Sequence, residues 1–239
     1  MPRIHIGRRS VQGKLESYAQ RFDLVEVRPD PEAPVRASAL KKWRESVPAP
    51  FVFSVVLPAA VTQARNAAAA NSALEHALDV ARVLQSPVIL ISPPAAFTPT
   101  ASNRRKLGEL VAKLPNDVVR LAWEPAGLWE PDEARVIAAS LKITLVGDAA
   151  QDPLAPGSVA YTRLRGLGDA RRMSDTRLDR VIENLRGRRE SYVVIETDRP
   201  VSVAKAVREG LMEGDGGRAR APRPRASAQP LLAEDEEQE

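Results

Sequence analysis

Short, β-rich apolar runs alternate with stretches of helical periodicity from residue 3 to residue 211, and charged residues stand at the run ends. The runs are Arg3–Ile6, Asp23–Val27, Phe51–Val56, Pro87–Ile91, Val118–Glu124, Ile143–Val146, Ala160–Leu164 and Tyr192–Glu196, which read as eight parallel strands. Helical spacing fits Lys14–Arg21, Arg36–Glu45, Ala68–Leu84, Ala101–Leu114, Asp132–Ser140, Asp175–Leu185 and Ser202–Leu211. Asn71 or Ser72 is the expected cap of the third helix and Ser102 that of the fourth, while Pro131 and Asp132 suit the first turn of the fifth. Between the sixth and seventh strands, Gly147–Ser158 is too rich in Pro, Gly and Asp for a packed helix, so one crossover is expected to be a loop. Eight strands with intervening helices predict an α/β fold, a TIM-type (β/α) barrel with one helix replaced by a loop.

Composition narrows this further. A chain of 239 residues with 44% hydrophobic content suits one barrel domain over residues 1–212. From Glu213 onward the Gly, Pro, Arg and Ser content cannot bury enough apolar surface to order itself, which predicts a disordered tail over 213–239. No cysteine is present, which excludes disulfides, thiolate metal ligands and cysteine nucleophiles, and is compatible with a reducing compartment. With no apolar signal segment and no run of eighteen apolar residues, the expected location is the cytoplasm, with no membrane partner. The tail is net acidic, so residues 1–212 hold 31 basic against 24 acidic side chains, a net +7. That excess favours anionic ligands, nucleic acid among them. Only ten aromatic residues are available for base stacking, however, and the cations are scattered over many helices, so solvated helix faces explain them better.

No motif announces a reaction, and none calls for a cofactor. The nucleophile elbow, the Walker phosphate loop and the HExxH zinc motif are all missing, and Gly166–Arg171 only imitates a dinucleotide fingerprint. His5 and His76 are the only histidines, and packing accounts for both better than a metal site does. The chemistry of a barrel gathers where its strands end and the following loops begin. That rule selects Glu26 and Arg28 on one face of the second strand, Glu124 ending the fifth, Asp148 after the sixth, Arg163 and Arg165 on one face of the seventh, and Glu196 closing the eighth. Trp129, in GLWEPDE, either covers this mouth or staples the next helix. Two readings of the ring are open. Its arginines grip a small anionic or polyhydroxylated ligand, or its charges neutralise one another. A divalent ion needs three of Glu26, Glu124, Asp148 and Glu196 to converge.

Several phrases, in order, resemble the YecE-like family, the domain of unknown function 72. They are IHIG near the start, YAQRFDLVEV around Glu26, RESVPAPFVFSVVLPAAVTQ, ILISPPAAF, AWEPAGLW, TRLRG and YVVIETD, spanning about Arg3 to Leu211. The resemblance implies a TIM-type barrel and supplies no substrate, because the family's reaction is not established. It also marks departures: Val56, Gln63, Ser92, Ala126, Gly127, Arg165, Glu196 and Thr197 stand where family members show other residues, and the loop after the first strand is shortened to Arg8–Gly13. Scaffold phrases survive while polar positions change, which implies a diverged specificity or a barrel without catalysis. The leading expectation is ligand binding at the mouth, with Arg163 and Arg165 gripping and Glu26 and Glu124 orienting, and with Arg163→Ala weakening binding without unfolding. The alternative is a non-enzymatic interaction barrel that uses its basic surface and Arg218–Arg225.

Overall fold

The computed structural model describes residues 2–63, 66–115, 119–166 and 172–215. Eight strands hydrogen-bond in sequence order: β1 (Arg3–Arg8), β2 (Leu24–Val27), β3 (Val52–Val56), β4 (Val88–Ile91), β5 (Arg120–Trp123), β6 (Thr144–Gly147), β7 (Val159–Arg165) and β8 (Glu190–Glu196). Every pair is parallel, and β8 closes onto β1 with His5 opposite Tyr192. Helices α1 (Leu15–Ala19), α2 (Ala37–Glu45), α3 (Ala60–Gln63), α4 (Ala67–Leu84), α5 (Ala101–Lys113), α6 (Pro131–Ser140), α7 (Asp175–Leu185) and α8 (Pro200–Asp215) fill the crossovers. The crossover from β6 to β7 holds no helix, as its composition predicts. No helix among the described residues is long and apolar enough to cross a membrane.

Three expectations change. The cap of α4 is Asn66, whose side chain accepts from Ala69 N–H at 2.8 Å, and the cap of α5 is Thr100, whose hydroxyl accepts from Asn103 N–H at 3.2 Å. Asn71 and Ser72 lie inside α4, whose opening run of four alanines carries helical geometry N-terminally, and Ser102 lies inside α5, whose cap falls on the residue before Ala101. α8 runs to Asp215, past the expected domain end at 212, and the remainder of the tail, with Arg218–Arg225, lies outside the described residues.

Alternation along the strands sorts side chains into two cores. Outward-facing Ile6, Val25, Phe53, Val55, Ile89, Ile91, Val193 and Ile195 pack against the helices. Inward-facing Leu24, Val52, Val56, Val88, Leu90, Ala122, Val146, Tyr161, Tyr192 and Val194 fill the barrel itself. At mid-height His5 stacks on Tyr192 at 5.3 Å and Tyr192 on Tyr161 at 5.8 Å, an aromatic row across β1, β8 and β7. Below it, Glu190 accepts from Arg120 Nε at 2.8 Å and lies 3.7 Å from His5 Nε2, so the N-terminal mouth is closed by its own ion pairs.

Burial in this plug holds the His5 pKa below its ordinary value of 6.5, against the raising influence of Asp23 and Glu190. A folded-state pKa below the unfolded one means that the unfolded chain binds more protons. The His5 contribution is therefore present above pH 6.5 and is lost as pH falls below it. We predict a lower urea midpoint at pH 5.5 than at pH 7.5, with a shallower pH slope in His5→Gln. Equal slopes for the two proteins would remove His5 from the account.

Candidate functional site

At the C-terminal mouth Arg163 is 2% exposed and stands at the centre of the charged groups. Its Nη2 donates to both Glu26 oxygens, at 2.7 and 2.6 Å, and its Nε donates to Glu26 Oε1 at 2.9 Å. Its Nη1 donates to Glu124 Oε2. Glu124 also accepts from Ser92 Oγ at 2.7 Å and from Arg165 Nη2. Glu26 accepts from Tyr161 Oη at 2.9 Å, and because that phenol gives its proton to Glu26, the Ser54 hydroxyl 3.0 Å away is left to donate to Tyr161. One planar guanidinium thus links carboxylates from β2 and from the residue after β5, by fork geometry that an ammonium cannot reproduce.

The electrostatics follow from this burial. Desolvation pulls the Arg163 pKa down, but the charges of Glu26 and Glu124 outweigh it and carry the value above the ordinary one. Burial, helped by the nearby Glu26 charge, pushes the Tyr161 phenol well above its ordinary value, so it stays a neutral donor. Arg28 is held below its ordinary value by burial, against the pull of Glu26.

Around this neutralised centre stand three more exposed cations, of which Arg9 and Arg28 hold only long contacts to Glu26 while Arg165 bonds Glu124 directly. Arg28 Nη2 lies 3.6 Å from Glu26 Oε2, and Arg9 Nε lies 3.9 Å from the same oxygen. Arg9 Nη1 reaches Glu196 Oε2 at 3.3 Å. The side chains of Arg9, Arg28 and Arg165 are 45%, 43% and 51% exposed, so they are the charges that solvent and solutes meet. Within the ion-paired ring four guanidiniums face three carboxylates, and the Asp148 carboxylate stands beside it on the Arg165 N–H.

The expected residues therefore divide. Glu26, Arg28, Glu124, Arg163, Arg165 and Glu196 come together in one ring. Asp148 does not join it as a ligand-facing group. Its oxygens accept from Ala150 N–H at 3.0 Å, Gln151 Nε2 at 2.8 Å and Arg165 N–H at 3.1 Å, so it organises the helix-free crossover. Trp129 is buried, lies edge-on to Trp123 at 4.9 Å, and donates from Nε1 to Phe97 O at 2.6 Å. It fastens the loop after β5 to the loop after β4 and covers no mouth. Among the described residues no three acidic or histidine side chains form a group able to hold a metal ion, so the carboxylate convergence required for a divalent ion is not met. Gly166 is described, whereas 167–171 of the supposed fingerprint lie outside the described residues.

Arg163→Ala also changes its meaning. Removing this side chain strips both carboxylates of their main partner, so the expectation of weakened binding on an intact fold gives way to destabilisation. Sequence reasoning missed Arg9, Ser92, Tyr161 and Ser54. Arg9 was within reach of the strand-end rule, because β1 extends two residues beyond its expected end at Ile6 and delivers Arg9 to the mouth.

A closed eight-stranded parallel barrel with its charged groups gathered at the C-terminal mouth is a TIM-type barrel protein. The family model described as "Protein of unknown function DUF72" matches residues 7–226, and the chain belongs to that family. Among solved structures, a DUF72 family protein from Enterococcus faecalis superposes with a TM-score of 0.69 at 15% identity, covering 90% of this chain and 98% of that one. A DUF72 family protein from Thermotoga maritima gives 0.67 at 17% identity, covering 89% and 99%. The same fold extends to a xylose isomerase domain containing protein from Salmonella typhimurium, with a TM-score of 0.59 at 15% identity over 88% and 96% of the two chains. No curated protein sequence matches the chain.

Proposed function

We propose that this DUF72 barrel binds a small anionic or polyhydroxylated ligand at its C-terminal mouth, and that binding rather than acid–base chemistry is what the mouth is built for. The observation that carries this reading is the division of labour among the arginines. Arg163 has its donors committed to Glu26 and Glu124, while Arg28 and Arg165 stand half-exposed above it. Gripping a ligand therefore falls to Arg28 and Arg165, with Arg9 beside them, and Arg163 serves as the platform. Glu26 and Glu124 act as the counter-charges of that platform, each with a guanidinium held against it. The 3.6 Å separation between Arg28 and an already neutralised Glu26 lets an incoming anion recruit this guanidinium without uncovering a bare carboxylate.

A thermal-shift screen of the full chain against sugar phosphates, sugar acids and free sugars tests this, since a ligand that binds only the native state raises Tm by mass action. At least one anionic compound is expected to raise Tm in the wild type and to lose that effect in Arg28→Ala/Arg165→Ala, whose own Tm stays close to that of the wild type because both side chains are half-exposed. No shift from any of these compounds would overturn the reading.

A further inference from the structure

Beside the charged ring, the segment after β1 and the segment after β8 enclose a cleft of about 560 Å³. Arg8, Arg9 and Arg21 line it together with the carboxylates of Glu196 and Asp198, and among the described residues two of these guanidiniums have no ion pair. Arg8 Nη1 donates to the neutral Gln12 side chain at 2.6 Å, and among the described residues neither Arg8 nor Arg21 forms an ion pair. The inner wall carries the opposite deficit. Thr197 is 4% exposed, and its Oγ1 has no hydrogen-bond partner; Glu196 Oε1 is likewise buried without one, 4.0 Å from Arg163 Nε. Buried polar atoms are ordinarily paired, so two orphans on one wall of a polar cleft point to a partner that is not part of the chain.

We infer that this cleft is a subsite for an anionic group carried next to a hydroxyl, with the charge held by Arg8 and Arg21 and the hydroxyl held by Thr197 and Glu196. The inference takes its ligand class from the proposed function but places the ligand between β1 and β8. The two halves of the cleft select jointly. An anion without a hydroxyl, such as sulfate, meets the acceptor-only oxygen of Glu196 with nothing to donate, and a neutral sugar brings no charge to the two arginines. A phosphorylated or carboxylated polyol satisfies both. Arg9 is the movable part, because its contacts of 3.3 Å to Glu196 and 3.9 Å to Glu26 are long and its side chain is 45% exposed. Swinging it outward uncovers Glu196 and leaves Glu26 on Arg163.

Calorimetric titration of the full-length protein with glucose 6-phosphate, gluconate, glucose and sulfate tests the subsite and separates its two anion sources. Binding is expected from glucose 6-phosphate, gluconate or both, with glucose and sulfate at least about tenfold weaker, and Thr197→Val and Arg21→Ala should each weaken the bound probe by about tenfold. Arg165→Ala, across the mouth, separates the two ideas. Loss in Arg165→Ala with wild-type affinity in both cleft variants would overturn the subsite and leave the mouth reading standing. Loss confined to the cleft variants would keep the subsite and remove the mouth reading. If none of the four probes binds, or if sulfate binds as tightly as the hydroxylated anions, the subsite falls.

Discussion

Arg163→Ala is expected to lower the stability of the barrel by about 3–5 kcal/mol, because it leaves a pair of buried carboxylates without their cation. Glu26 has a fully buried side chain and Glu124 one that is 11% exposed, and Arg163 is the inward cation that reaches both. In a domain of this size each kcal/mol moves Tm by about 2–4 °C, so the melting point should fall by roughly 6–20 °C. The origin of the loss is separable. If uncompensated charge is the cause, Arg163→Met combined with Glu26→Gln and Glu124→Gln should recover most of it, since replacing a whole buried ionic group by neutral side chains is often neutral or stabilising. Urea unfolding with an unchanged m-value is the measurement. A single variant within about 1 kcal/mol of wild type would show that water or Arg165 compensates the carboxylates. The ring would then be a surface feature and not the platform described above.

The same residues show what the sequence made legible. The barrel was readable because its strands are continuous Val, Ile, Leu and Phe runs separated by helical spacing, and these are local properties of the chain. Even the missing helix between β6 and β7 was written locally, in the Pro, Gly and Asp content of 147–158. The ring was partly readable for a related reason, since strand ends and alternation put Glu26, Glu124, Arg163 and Glu196 on the inner face. What could not be read was who faces whom. Whether Arg163 meets Glu26 or solvent depends on a contact spanning 137 residues of chain, and no local pattern encodes it. Asp148 and Trp129 illustrate the opposite error. Both occupy the loops in which chemistry gathers, yet one is saturated by loop amides and the other by Phe97 and Trp123, because those loops need fastening before they can present anything. Some of the positions that the sequence reading marks as departures from the family phrases lie at this mouth. Ser92 and Arg165 bond Glu124, Val56 packs in the inner core, and Glu196 and Thr197 line the β1–β8 cleft.

Gly7→Ala is expected to prevent folding of the barrel altogether. Gly7 pairs with Leu24 across the β1–β2 seam, and a Cβ at residue 7 would lie 1.6 Å from the Leu24 carbonyl oxygen and 2.4 Å from its carbon. Both obstacles are backbone, so no rotamer change relieves the overlap. The oxygen is also engaged, because Tyr18 Oη donates to Leu24 O at 2.7 Å while accepting from Arg8 N–H at 2.8 Å, and this bridge ties α1 to the ends of both strands. Moving β1 away from β2 would therefore break the Tyr18 bridge and open a closed barrel at its first seam, exposing strand edges that the fold otherwise lacks. The cost is expected to exceed about 4–5 kcal/mol, the range reserved for failures of this kind. Tyr18→Phe separates the two contributions: it removes the bridge, keeps the glycine, and should cost only about 1–3 kcal/mol for the orphaned Leu24 carbonyl and Arg8 amide. Soluble yield and circular dichroism of the three proteins decide the matter. A folded Gly7→Ala protein with a Tm near that of wild type would mean that the β1–β2 seam is wider than described, and the placement of Arg8 and Arg9 beside the β1–β8 cleft would have to be redrawn with it.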